Sequence, residues 1–268
     1  MNRLILLGSA GIAVAFAMLA AGYIAGRPTA IADDTPQMAQ ASGMDRSEVE
    51  MIVRDYLLRN PEILVEMQTA LDEKEKEAQR IANLEVISSA RDAIFNSPHD
   101  GIVGNPDGKV TIVEFYDYNC GFCKRAQEDM LALTAADPEL RFVLKEFPIL
   151  GPDSQKAHVV SQAVQSLMPE KYAEFHNRLL ASQGRAGEAS AVKLAVELGV
   201  DETKLREAMK DPKIGETFAG TYDLANRLAI TGTPSYVVGN EVVFGALGRD
   251  VLAEKIAQAR ACQANATC

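Results

Sequence analysis

The pattern of apolar and polar positions changes character several times along the chain. From Leu4 to Gly26 apolar and small residues run without a charge, behind Arg3 and ahead of Ala30-Ile31-Ala32, a small-x-small cleavage pattern. Residues 1–32 therefore read as a secretory signal. The run is also long enough to span a bilayer, so an N-terminal anchor is the alternative. Either delivers the rest of the chain to an oxidising compartment, where disulfides persist. Residues 33–44 are polar, with Pro36 and Gly43, and predict a flexible leader. Ser47-Glu-Val-Glu50 carries a capping-box pattern and opens a helix through Val49, Ile52, Val53, Tyr56 and Leu57. Asn60-Pro61 closes that helix and starts another, free of Gly and Pro to about Phe95. Unbroken, it would be about 50 Å long. Ile63, Leu64, Met67 and Leu71 form one apolar stripe, and Ile81, Leu84, Ile87 and Ile94 another. Between them Asp72-Glu-Lys-Glu-Lys-Glu77 is charged on every face. A helical arm over residues 45–98 is expected, either lying partly on its own domain or pairing with copies of itself through residues 45–96.

Past Ser97-Pro98 and the turn cluster Gly104-Asn-Pro-Asp-Gly108, the period shortens. Val110, Ile112, Val113, Phe115 and Tyr116 make a dense β-forming run, and Leu140–Phe147 alternates as a second strand. The helix between them runs from Cys120 to Asp137-Pro138, giving a βαβ unit. Residues 153–229 return to helical spacing, punctuated by Gly184, Gly199 and Asp211-Pro212, and predict five helices. Thr231-Gly-Thr-Pro234 then precedes a strand over Ser235–Gly239, a turn at Asn240, a partner strand at Val242–Phe244 and a last helix over about Arg249–Ala261.

Hydrophobic residues make up 47% of the chain, enough for one sizeable core plus an attachment. A net charge of −10 argues against a general nucleic-acid binder. The chemistry concentrates at Cys120-Gly-Phe-Cys123, placed at a helix start after a strand. There the unpaired N–H groups and the helix dipole favour a Cys120 thiolate, the nucleophile of disulfide exchange, and Cys123 lies one turn on, placed to resolve a mixed disulfide. The alternative for Cys-x-x-Cys is half a zinc site, but nothing near residue 120 supplies further ligands, and the gap between Cys262 and Cys268 fits a zinc knuckle poorly. His158 and His176 stand inside helices with no partner at ligand spacing and are expected on the surface or in ordinary packing. His99, in a loop beside Asp100, receives no role.

A strand running into Cys-x-x-Cys, with Gly232-Thr233-Pro234 much later before a hairpin and a final helix, resembles the thioredoxin fold. The helical insertion at about 153–229 resembles that of the DsbA family. Phe115-Tyr-Asp-Tyr-Asn-Cys-Gly-Phe-Cys-Lys124 with Glu146-Phe-Pro-Ile-Leu-Gly-Pro-Asp-Ser154 is similar to its ScsC and BdbD-like branch. The resemblance covers about residues 99–261 and implies an α/β thioredoxin-like domain behind an N-terminal helical arm like the trimerising arm of some ScsC-like proteins. It implies an attacking Cys120, a resolving Cys123, a buried proton-transferring Glu114, and a cis Pro234 facing the cysteines. Thr233 would pair with substrate backbone and Phe122 would lie against substrate. Gly121-Phe122 stands where the most oxidising members place a His, which points to a milder oxidant or an isomerase. Cys262 and Cys268, in a tail over 262–268, would close a structural disulfide, with a labile regulatory pair as the alternative. The function implied is a periplasmic thiol–disulfide oxidoreductase, an oxidase first. An oligomeric isomerase or reductase of the same fold is the alternative, and a metal-binding or envelope interaction module the alternative of another class. The expected partners are reduced or misoxidised exported proteins and a membrane redox partner. No cofactor and no metal are expected.

Overall fold

The computed structural model describes residues 45–265. Strand β2 (Val110–Tyr116) is buried at every position but Thr111, because both of its faces are apolar, and it forms the middle of a five-stranded sheet. β3 (Leu140–Glu146) runs parallel beside it, in register Val110↔Leu140 through Tyr116↔Glu146. Helix α4 (Gly121–Ala136) makes the crossover between them. β4 (Ser235–Val238) pairs antiparallel with the other side of β2, and the hairpin strand β5 (Glu241–Phe244) closes that edge.

The opposite edge is β1 (Gly101–Gly104), antiparallel to β3 and absent from the sequence-based expectation. Four residues bounded by glycines carry no alternation to read. Gly101 is required there, since a Cβ would stand 1.7 Å from the Tyr172 ring.

One face of the sheet packs against α4, the last helix and the first four of five helices inserted between β3 and β4, while the fifth packs on the other face. These are α5 (Pro152–Leu167), α6 (Pro169–Leu180), α7 (Glu188–Glu197), α8 (Glu202–Ala208) and α9 (Pro212–Arg227). The last helix, α10, spans Arg249–Asn265. Val113, Phe115, Val143 and Val237 point to the other face and bury Ile87, Ile94, Phe95, Leu224 and Leu228. That packing accounts for a break in the expected long helix. It divides into α2 (Ile63–Ser89) and α3 (Arg91–Phe95) at Ala90, which leaves helical geometry at φ −111°, ψ 21°. No Gly or Pro marks the break; the burial of Ile87 on one side and of Ile94 and Phe95 on the other accompanies it.

The described residues fall into two compact units divided between Glu66 and Met67. In the first, α1 (Arg46–Arg59) starts at Asp45, two residues before the expected cap, with Glu48 accepting from the Asp45 N–H at 3.3 Å. No residue of α1 is buried. Among the described residues, no helix is long and apolar enough to cross a membrane. The expected signal or anchor, the leader and Cys268 lie outside the described residues.

Candidate active site

Alternation along β2 sends Ile112, Glu114 and Tyr116 to the face that α4 covers. The chain then turns through Asp117-Tyr118-Asn119, and Cys120 becomes the N-cap of α4, extended at φ −79°, ψ 113°. This places its sulfur over the first turn, where the Cys123 N–H donates to Sγ at 3.3 Å. The loop ahead of β4 arrives from the other side. Its Thr233–Pro234 peptide bond is cis, and the Cys120 thiol donates to the Thr233 carbonyl at 3.2 Å. Cys120, Cys123, Thr233 and the β2 carboxylate thus converge at the carboxyl end of the central parallel strands. Both thiols are free, Cys123 wholly buried and Cys120 5% exposed.

The two sulfurs differ in charge preference. A hydrogen bond from the Cys123 thiol lowers Cys120 to about 6 against the opposing effect of burial, and the Thr233 side chain and the N–H groups of Cys123 and Phe122 work the same way. The Thr233 carbonyl acts in the opposite sense, since it accepts only from the protonated thiol. The four donors outweigh it. Cys123 is driven far up by burial, by its bond to Cys120 and by the Glu114 charge. Glu114, 3% exposed, is itself raised to about 8 by burial and by Cys120. Tyr236, its cross-strand partner, is raised by burial and by that carboxylate. An ionising thiol at the helix N-terminus, a neutral thiol behind it and a protonated acid beside that can move one proton as a disulfide opens or closes.

Phe122 is 59% exposed, with the Arg125 guanidinium 4.2 Å from its ring centroid. Cys262 lies half-buried near the end of α10, and the expected pairing with Cys268 falls outside the described residues. Among the described residues no cluster of His, Cys, Asp and Glu could hold a metal ion.

Neither His158 nor His176 is on the surface. His158 Nδ1 pairs with Glu146, and His158 Nε2 accepts the Tyr118 N–H at 3.3 Å, so the ring proton sits on Nδ1. Glu146 also accepts from Ser161 at 2.7 Å and Tyr172 at 3.1 Å. Burial pushes its carboxyl up, but the His158 ring, Ser161 and Tyr116 hold it below the usual value. The available signal was the polar stripe Ser154, His158 and Ser161 on the face of α5 that also carries Ala157 and Val164.

A paired Cys-x-x-Cys capping a helix, opposite a cis-proline loop on this sheet, defines a thioredoxin-fold thiol–disulfide oxidoreductase. The chain belongs to the family of DSBA-like thioredoxin domains, whose model matches residues 111–257. Residues 45–78 match the N-terminal domain of the copper resistance protein ScsC. A thioredoxin-like oxidoreductase from Silicibacter pomeroyi superposes with a TM-score of 0.61 at 38% identity, over 64% of this chain and 98% of that one. A linker-deleted variant of Proteus mirabilis ScsC superposes with a TM-score of 0.63 at 26% identity, over 82% and 99%. Disulfide bond formation protein D of Bacillus subtilis is 27% identical, over 62% of this chain and 80% of its own. The chain spans only 24% of the length of another curated relative it matches, the Na(+)/H(+) antiporter NhaA 1 of Salinispora arenicola, at 26% identity.

Proposed function

We propose that this protein donates disulfides to reduced proteins outside the cytoplasm, with Cys120 as the attacked and attacking sulfur and Cys123 as the resolving one. In the oxidised enzyme a substrate thiolate attacks Cys120 Sγ. The new intermolecular S–S bond forms as the Cys120–Cys123 bond breaks, and Cys123 leaves as a thiolate that takes a proton from Glu114. A second substrate thiolate then attacks the substrate sulfur of the mixed disulfide and releases Cys120 as a thiolate. The substrate is oxidised by two electrons and the enzyme reduced by two. Thr233 pairs with the substrate backbone, and Phe122 presents an apolar surface to it. A membrane redox partner reoxidises the pair.

The observation that carries this reading is the Cys120 sulfur capping α4, where the Cys123 N–H donates to it at 3.3 Å and the thiolate is favoured. Stabilising the thiolate stabilises the reduced enzyme and so makes the disulfide the better oxidant. Gly121-Phe122, in place of a His between the cysteines, points to a milder donor. The charge-free run behind Arg3 supports export to the periplasm.

Equilibrating the Cys120/Cys123 pair with glutathione tests the proposal. A potential well above thioredoxin's, about −270 mV, is expected. A potential at or below that value makes the protein a reductase. Isomerisation is the second reading, favoured by the exposed apolar face of α1 and its match to the ScsC N-terminal domain. In that case the pair would be found reduced in its own compartment.

A further inference from the structure

Three residues ahead of the nucleophile are held by the helical insertion, and the contacts come largely from one stripe of α5. Ser154 Oγ donates to Asp117 Oδ1 at 2.8 Å and stands 2.9 Å from the Asn119 Nδ2 that donates to it. One turn on, His158 Nε2 takes the Tyr118 backbone N–H. Another turn on, Ser161 Oγ is 2.8 Å from the Tyr118 hydroxyl. These positions, i, i+4 and i+7, share one helix face, and all three side chains are fully buried. Three more contacts complete the grip: the Leu150 N–H donates to Asp117 Oδ2 at 2.9 Å, the Ala186 N–H to Asn119 Oδ1 at 2.7 Å, and Asn119 Nδ2 to the Ala186 carbonyl at 3.0 Å.

A polar stripe on a fully buried helix face is costly unless its partners need it, because apolar residues would fill the same space without desolvating any donor. Besides Glu146, which His158 and Ser161 also bond, the partners here are three consecutive residues of the turn that delivers Cys120, whose own N–H donates to the Asp117 carbonyl at 3.0 Å.

We propose that Ser154 and His158 are positioning residues for the nucleophile, fixing residues 117–119 so that Cys120 keeps its extended N-cap conformation and its sulfur stays on the Cys123 N–H. Their action passes through the loop backbone, and neither touches the reacting sulfurs. The insertion thereby sets the reactivity of Cys120 as well as covering the sheet. This inference rests on Cys120 being the nucleophile, which the loss of all exchange in Cys120→Ala tests separately.

The experiment compares Ser154→Ala with Gln162→Ala in the full chain. Gln162 lies on the same helix and donates to the His99 carbonyl at 3.1 Å, making no contact with residues 117–119, so its loss controls for general loosening of α5. The rate of Cys120 alkylation is followed against pH, alongside the unfolding midpoint. Ser154→Ala is expected to slow alkylation on the acid side of the profile by up to about tenfold and to move its midpoint upward. Gln162→Ala is expected to leave the profile in place whatever it does to the midpoint of unfolding. Asn119→Ala, which cuts the Ser154 link together with both Ala186 bonds from the loop side, should shift the profile in the same direction and serves if Ser154→Ala does not fold. A Ser154→Ala or Asn119→Ala profile superimposing on the native one overturns the proposal. So does an equal shift from Gln162→Ala.

Discussion

At Cys120 and Glu114 the folded protein shifts two protons in opposite senses, and stability should record both. A Cys120 thiol at about 6, against about 8.5 in the unfolded chain, gives up its proton earlier when folded. Its contribution is fully present above the unfolded value and is lost as pH falls through about 6. Glu114 at about 8, against about 4.3 unfolded, keeps its proton longer when folded. That contribution is fully present below the unfolded value and is lost as pH rises through about 8. Glu114→Gln carries no charge at any pH and removes only the second slope. Urea unfolding of the reduced protein at about pH 5 and about pH 8 should show the variant gaining on the native chain at the higher pH. Parallel behaviour would mean that Glu114 ionises as an ordinary surface carboxylate. The same substitution should slow closure of the Cys120–Cys123 disulfide, about 10- to 100-fold if proton transfer limits it. Replacing Cys123 by Ala should leave Cys120 able to trap mixed disulfides. It also removes the strongest single donor to Cys120, so alkylation of that variant should titrate above about 6 yet below an ordinary thiol's about 8.5, because the backbone N–H donors remain.

Among the elements, the β2–α4–β3 unit was legible because an unbroken β-forming run led directly into Cys-x-x-Cys, with proline punctuation at both ends of the following strand. The Gly232-Thr-Pro234 hairpin was readable for the same reason. Strand β1 was not, being too short to alternate, and the break at Ala90 was not, because it accompanies packing against the sheet where no residue at Ala90 itself demands it. The Glu146–His158 pair was hidden by a separation of twelve positions across a loop. Lys145, next along β3, was hidden in a similar way: its Nζ bonds Asp100 and the Ala93 carbonyl, tying the end of the N-terminal helices to the sheet. Burial outweighs Lys145 at Asp100 and raises that carboxyl to about 6, and a buried pair of this kind need not recover the cost of its own desolvation. Lys145→Met should therefore destabilise by about 3–5 kcal/mol, leaving Asp100 buried without its cation. Adding Asp100→Leu should restore most of that loss. A double variant as unstable as the single one, in urea unfolding, would show that the pair is net stabilising.

On the scale of the whole molecule, the unanswered question posed by the fold is what covers α1. Val49, Ile52, Val53, Tyr56 and Leu57 recur at i, i+3, i+4, i+7 and i+8, a complete apolar face, and each is exposed. An isolated helix of 14 residues is marginal in water, since propagation over so few turns hardly repays nucleation. The stripe therefore needs a partner. A second copy would supply one at no cost in new sequence, and an association through α1 would place several Cys120 sites within reach of one substrate. We expect the mature chain to sediment as an oligomer at micromolar concentration. Ile52→Glu combined with Tyr56→Glu keeps residues of good helix propensity but places charge in the seam, and should reduce the subunit number. Because both positions lie outside the unit that carries the cysteines, the glutathione equilibrium and the Cys120 alkylation profile should not move. Rearrangement of a wrongly paired model substrate should fall further than oxidation of a reduced one, because only the former benefits from several sites acting on one chain. A native chain that sediments as a monomer would remove the self-association, and with it the structural case for isomerisation.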